Sequence, residues 1–95
     1  MLKIRVNDYD DIDNFLKNEK SKFFTEIISS IKTAWKEKLA EIIVVQFTVG
    51  KETLIELSIN QDDWSESLHL ALYHYESVEE YEKCTQIQSM IDEML

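Results

Sequence analysis

Residues 42–59 read IIVVQFTVGKETLIELSI, and the way this stretch pairs with itself decides the fold. Positions 42–49 and 53–59 are dominated by β-branched and large apolar side chains, with Gly50 between them, which predicts a β-hairpin. Its register follows from its faces. Ile43, Val45, Phe47 and Val49 form the stronger apolar face of the first strand; Ile55, Leu57 and Ile59 form that of the second. A two-residue turn at Gly50-Lys51 pairs Val49 with Glu52 and sends these sets to opposite sides. A loop of three or five residues pairs Phe47 with Ile55 and Val45 with Leu57. A one-residue slip moves every side chain to the other face, so the odd loop is the predicted one.

Working outward, Leu2, Ile4 and Val6 alternate with Lys3 and Arg5, the period of a half-buried strand. Asp10 or Asp11 is expected to cap a short helix carrying Ile12, Phe15 and Leu16. After a polar break at Asn18–Lys20, Ser21 is expected to cap a longer helix to about Ala40. Its apolar stripe is Phe23, Phe24, Ile27, Ile28, Ile31, Ala34, Trp35 and Leu39, with Lys22, Lys32, Lys36 and Lys38 mostly off it. Beyond the hairpin, Asn60, Asp62 and Asp63 offer caps for a helix whose inward stripe is Trp64, Leu68, Ala71, Leu72 and Tyr75. Ser77-Val-Glu-Glu80 has the form of a capping box and predicts a last helix with Tyr81, Cys84, Ile87, Ile91 and Met94 inward. Leu70, Val78 and Met90 are left over from these stripes. The order strand, helix, helix, hairpin, helix, helix predicts an α+β fold over 1–95 as a single domain. A small antiparallel sheet, the N-terminal strand plus the hairpin, is packed by the long helix and a C-terminal helical hairpin.

The chain has 95 residues, one Gly, no Pro and one Cys, and a formal charge of −9. No apolar run approaches the ~18 residues of a membrane span, and the N-terminus has no secretory core. A single Cys fits a reducing compartment and forbids an internal disulfide. A cytoplasmic protein is expected, with no membrane partner. The charge is lopsided: residues 1–51 carry eight acids and nine bases, residues 52–95 eleven acids and one base, Lys83. Such a field repels nucleic-acid phosphates, so no direct nucleic-acid partner is expected, and it attracts basic proteins.

Reactive constellations are hard to assemble. Asp8-Tyr-Asp10-Asp11-Ile-Asp13 has Ile12 and Asp13 where a calcium loop wants an oxygen ligand and Gly. His69 and His74 stand roughly 140° apart on a helix and do not converge on one metal. No nucleophile elbow, phosphate loop or zinc-helix motif is present. No enzyme activity and no cofactor are expected. Acids instead collect as Asp62, Asp63 and Glu66 at the start of one helix, and as Glu76, Glu79, Glu80 and Glu82 around the next turn. Glu76 is set near a helix C-terminus, where negative charge is unfavourable.

The tail LHLALYHYESVEEYEKCTQIQSMIDEML resembles the UVR-type helical hairpin of nucleotide-excision-repair proteins and of a protease-adaptor family. Tyr81-Glu82 stands at the family's aromatic–acid pair, Cys84-Thr85 at its small pair and Ile91 at its apolar position. Gln88-Ser89 replaces the family's Arg-Asp. The resemblance implies a helical interaction element without catalysis. The overall composition is similar to that of small accessory proteins of phages and mobile elements, including anti-CRISPR and other anti-defence inhibitors.

The expected function is a non-enzymatic acidic module that occupies a basic surface on a larger protein, such as a nuclease or other nucleic-acid-handling enzyme. Asp62, Asp63, Glu66, Glu76, Glu79, Glu80 and Glu82 are the expected contacts, with Tyr73 as aromatic anchor. Alternatives are a UVR-like adaptor or self-associating module, in which a homodimer buries Leu70, Val78 and Met90, and an antitoxin or immunity protein.

Overall fold

The computed structural model describes residues 1–94; Leu95 lies outside them. The elements are β1 (Leu2–Val6), α1 (Tyr9–Asn18), α2 (Lys20–Glu37), β2 (Glu41–Val49), β3 (Thr53–Asn60), a 3-10 turn (Gln61–Asp63), α3 (Trp64–Ser77) and α4 (Tyr81–Met94). The fold is α+β, with a three-stranded sheet in the order β1-β2-β3 and a C-terminal helical pair.

The hairpin has the predicted odd loop. Val49 pairs with Thr53, Phe47 with Ile55 and Val45 with Leu57, leaving Gly50 to Glu52 as the turn. Gly50 has φ 63°, a left-handed conformation that costs a residue with a Cβ and costs glycine nothing. Beyond Val45 the register changes: Ile43 pairs with Ser58 and Ile42 with Ile59, so Val44 is an extra residue in β2. This bulge brings Val44 and Val45 into the core together. It also switches which alternate positions face inward, so Ile42 packs against the core in place of the expected Ile43.

One pairing differs from the expected antiparallel sheet. β1 runs parallel to β2, with Leu2 opposite Val45, Ile4 opposite Phe47 and Val6 opposite Val49. Parallel neighbours need a long crossover, and α1 and α2 supply it. The two helices abut at Glu19, whose N–H donates to the Phe15 carbonyl while its own carbonyl accepts from Phe23. The sheet is therefore mixed. Leu2, Ile4, Val6, Val45, Phe47, Val49, Ile55 and Leu57 line its helix-covered side. Lys3, Arg5, Leu54, Glu56 and Ser58 are exposed on the other.

Caps and turns show where local reading failed. Asp8 caps α1, rather than Asp10 or Asp11: it accepts from the Asp11 N–H at 3.1 Å while Asp11 Oδ2 accepts from the Asp8 N–H. Ser21 does not cap α2, which has no side-chain cap; its hydroxyl is bonded to His74 Nε2 at 2.8 Å. α2 ends at Glu37 because Lys38 turns left-handed (φ 59°), so Leu39 leaves the helical stripe and is exposed. The Ser77–Glu80 capping box does not form. Glu80 N–H donates to the Tyr75 carbonyl at 2.9 Å and the Ser77 hydroxyl donates to the His74 carbonyl at 2.6 Å. Both groups are used to end α3, and α4 starts only at Tyr81.

The core runs from Val44, Val45 and Phe47 of the sheet through Ile27, Ile31 and Ala34 of α2 to Leu68, Ala71 and Tyr75 of α3 and Ile87 of α4. Met90 belongs to it, contrary to expectation, because α4 packs through Ile87, Met90, Ile91 and Met94 at helical spacing. Tyr81, expected inward, is exposed because it opens α4 before the packed turns begin. Among the described residues no helix is long and apolar enough to cross a membrane.

Candidate functional site

The acidic residues singled out from the sequence are all exposed: Asp62, Asp63, Glu66, Glu76, Glu79, Glu80 and Glu82. They form two groups, one at each end of α3. Asp62, Asp63 and Glu66 stand at the start of α3, where Asn60 caps the 3-10 turn by accepting from the Asp62 N–H at 3.0 Å. Glu76, Glu79, Glu80 and Glu82 stand at its far end. The 14 residues of α3 set the groups about 20 Å apart. Tyr73 is 71% exposed. It shares an outward face with Leu70 and Glu66 at spacings of three and seven, and so joins the two groups.

The second group is placed against two local preferences. Glu76 occupies the last turn of α3, where the helix dipole disfavours a carboxylate. Glu79 has φ 60°, a left-handed position usually given to Gly or Asn. Among the described residues no cation pairs with them: the one ion pair is between the Met1 amino group and Glu26, at 2.9 Å.

Lys83, the sole base of the second half, turns inward. Its ammonium lies 4.8 Å from the Tyr75 ring centroid and 3.5 Å from Thr25 Oγ1. Tyr75 is the polar hub behind the acidic turn. Its hydroxyl donates to the Ser21 carbonyl at 3.0 Å, so the Thr25 hydroxyl at 2.7 Å is the donor in their shared bond. His74 stacks on Phe24 with ring centroids 5.1 Å apart. His69 Nδ1 lies 2.7 Å from the Ser65 carbonyl. Among the described residues no group of three or more His, Cys, Asp and Glu is arranged to hold a metal ion.

Cys84 is half-buried, and its thiol is raised above its ordinary range. Loss of solvent is the larger cause, followed by the negative charge of Glu76 and, less, of Glu80. A raised thiol holds less thiolate at neutral pH, and only the thiolate reacts. Cys84 should therefore react more slowly with a disulfide reagent than in the unfolded chain. Glu76→Gln with Glu80→Gln should speed that reaction and move its pH profile downward. A profile indifferent to both carboxylates would contradict this assignment.

Sequence reasoning missed one feature. Trp35, expected on the buried stripe, is 43% exposed at the end of α2. It overhangs a hollow of about 340 Å³ lined also by Gln61, Asp62, Trp64, Leu68 and Ile91. Trp64 is buried, yet its indole N–H has no acceptor. A Trp at helical spacing reads as core, and only the early end of α2 and the placement of α3 and α4 reveal the gap.

No protein-family model, no curated protein and no solved structure matches this chain.

Proposed function

We propose that this protein is a non-enzymatic protein-binding module that docks the outer face of α3 and the α3–α4 turn onto a basic surface of a larger protein. The observation that carries the reading is the unpaired carboxylate group at that turn. Glu76 sits at the wrong end of a helix dipole and Glu79 in a left-handed conformation costing about 1 kcal/mol relative to Gly. Strain and repulsion kept together at one exposed turn point to use. Between the acid groups, Leu70 and Tyr73 offer an apolar centre with a charged rim, the usual anatomy of a protein interface. A groove that ordinarily holds nucleic acid presents the matching positive field, so the proposed mode of action is inhibition by occupying such a groove.

Two variants test this. Reversing Glu76, Glu79 and Glu80 to Lys should release from the immobilised protein those cellular partners that wild type holds at low salt and loses at high salt. Duplex DNA should compete for the same partners. Glu79→Gly should raise stability by about 1 kcal/mol in chemical denaturation while weakening capture. Retention of the same partners by the triple variant, with the same salt response, would overturn the reading.

A second reading is self-association through the same region, supported by exposed Leu70, Tyr73, Val78 and Tyr81. Met90 is buried and takes no part. Sedimentation at micromolar concentration distinguishes the two, because only this second reading requires a dimer.

A further inference from the structure

The hollow under Trp35 differs in chemistry from the acidic turn. It is bounded by the end of α2, the start of α3 and the end of α4, and its volume of about 340 Å³ falls in the range of small-molecule sites. Its walls are mixed: the two indoles, Leu68, Ile91 and Met94 supply apolar surface, and Gln61, Asp62 and Ser65 supply polar groups. A second hollow of about 270 Å³ continues from it, sharing Trp35, Gln61 and Trp64 and adding Lys38 and Leu39. The surface then opens over Trp35 onto Lys32, Lys36 and Lys38. Among the described residues none of these lysines has a carboxylate within ion-pair distance.

Two further facts set the polarity of an occupant. The Trp64 indole N–H is buried without an acceptor, and a donor left unpaired in the interior costs about 1–3 kcal/mol. Trp64 and Lys38 line the same smaller hollow, so an oxygen-bearing anion there meets the Lys38 cation and lies beside the residue whose covered N–H wants an acceptor. Asp62 lines the larger hollow only, and its charge keeps an anion on the lysine side.

We propose that this trough binds a small amphipathic carboxylate, its apolar body against Trp35, Leu68 and Ile91 and its anionic end between Lys38 and the Trp64 indole. That N–H is covered in the free protein, so binding requires the Trp64 ring to turn until the N–H meets the carboxylate.

The test uses 4-phenylbutyrate, 4-phenylbutanol and 4-phenylbutylamine, which share one apolar body and differ in charge. The chain has two Trp, so its indole N–H groups give two resonances in a nitrogen–proton correlation spectrum. Phenylbutyrate should shift both saturably, with the Trp64 resonance moving downfield as it gains an acceptor. The amine should bind at least about ten-fold more weakly, a difference of about 1.4 kcal/mol. Lys38→Asn removes the charge with a residue that tolerates the left-handed conformation there, and should erase the preference for the carboxylate over the alcohol. Trp35→Ala, at an exposed position, should abolish binding while circular dichroism stays unchanged. Equal affinity for the three compounds, shifts that never saturate, or a carboxylate preference that survives Lys38→Asn would each overturn the proposal.

Discussion

Phe47→Ala is expected to destabilise the protein by about 3–5 kcal/mol, a large part of the roughly 5–15 kcal/mol that holds a domain together. Phe47 is fully buried at the centre of β2, with Ile4 opposite it on the parallel side and Ile55 on the antiparallel side. Its ring meets Phe15 of α1 edge-on, with centroids 5.7 Å apart. Truncation removes the side chain at which three strands and α1 converge, and neighbours fixed in a sheet cannot collapse fully into the gap. The urea midpoint should fall with little change in slope. Leu54→Ala is the control. Leu54 lies two residues from the turn on the open face and is exposed, so its loss should stay within about 0.5 kcal/mol. Equal costs for the two substitutions would mean that the hairpin faces are assigned the wrong way round.

Tyr75→Ala should be comparably severe and Tyr75→Phe much milder. The ring is fully buried between α2 and α4, with the Lys83 ammonium over its face. Losing it leaves a cavity worth about 3–5 kcal/mol. Phe keeps the ring and forfeits only the bonds to the Ser21 carbonyl and the Thr25 hydroxyl, which together contribute about 1–2 kcal/mol. Thr25→Ala should then cost less when combined with Tyr75→Phe than in wild type, because its hydrogen-bond partner is already gone. Additive losses would show that the two hydroxyls do not support one another. The same pair of helices positions the acidic turn, so Tyr75→Phe also asks whether that turn depends on the network behind it.

Much of this was legible in the chain. The hairpin register came from a parity argument: two apolar sets had to share one face, and only an odd loop allowed it. The α3 stripe from Trp64 to Tyr75 was equally plain, because it repeats at helical spacing without interruption. Parity also explains the failure at Ile43. Alternation reads true only while each residue has one partner, and the extra Val44 in β2 exchanges inside for outside. The parallel entry of β1 was missed: alternation in a five-residue strand carries no direction, but the two helices between β1 and β2 are long enough for the crossover that a parallel pair needs. The capping errors at Ser21 and Ser77 share one cause. Each hydroxyl had a competing partner, His74 Nε2 for the one and the His74 carbonyl for the other.

Composition and order along the chain determined by themselves that this is a small α+β protein, and that its negative charge belongs to the last two helices and the strand before them. Those are properties of residue type and spacing, which need no third dimension. Tertiary structure alone decided that Lys83 turns inward and leaves the acids unpaired, and that Trp35 overhangs a hollow. Each of those outcomes depends on which surface a neighbouring element covers, and burial is settled only when helices and sheet compete for the same apolar area.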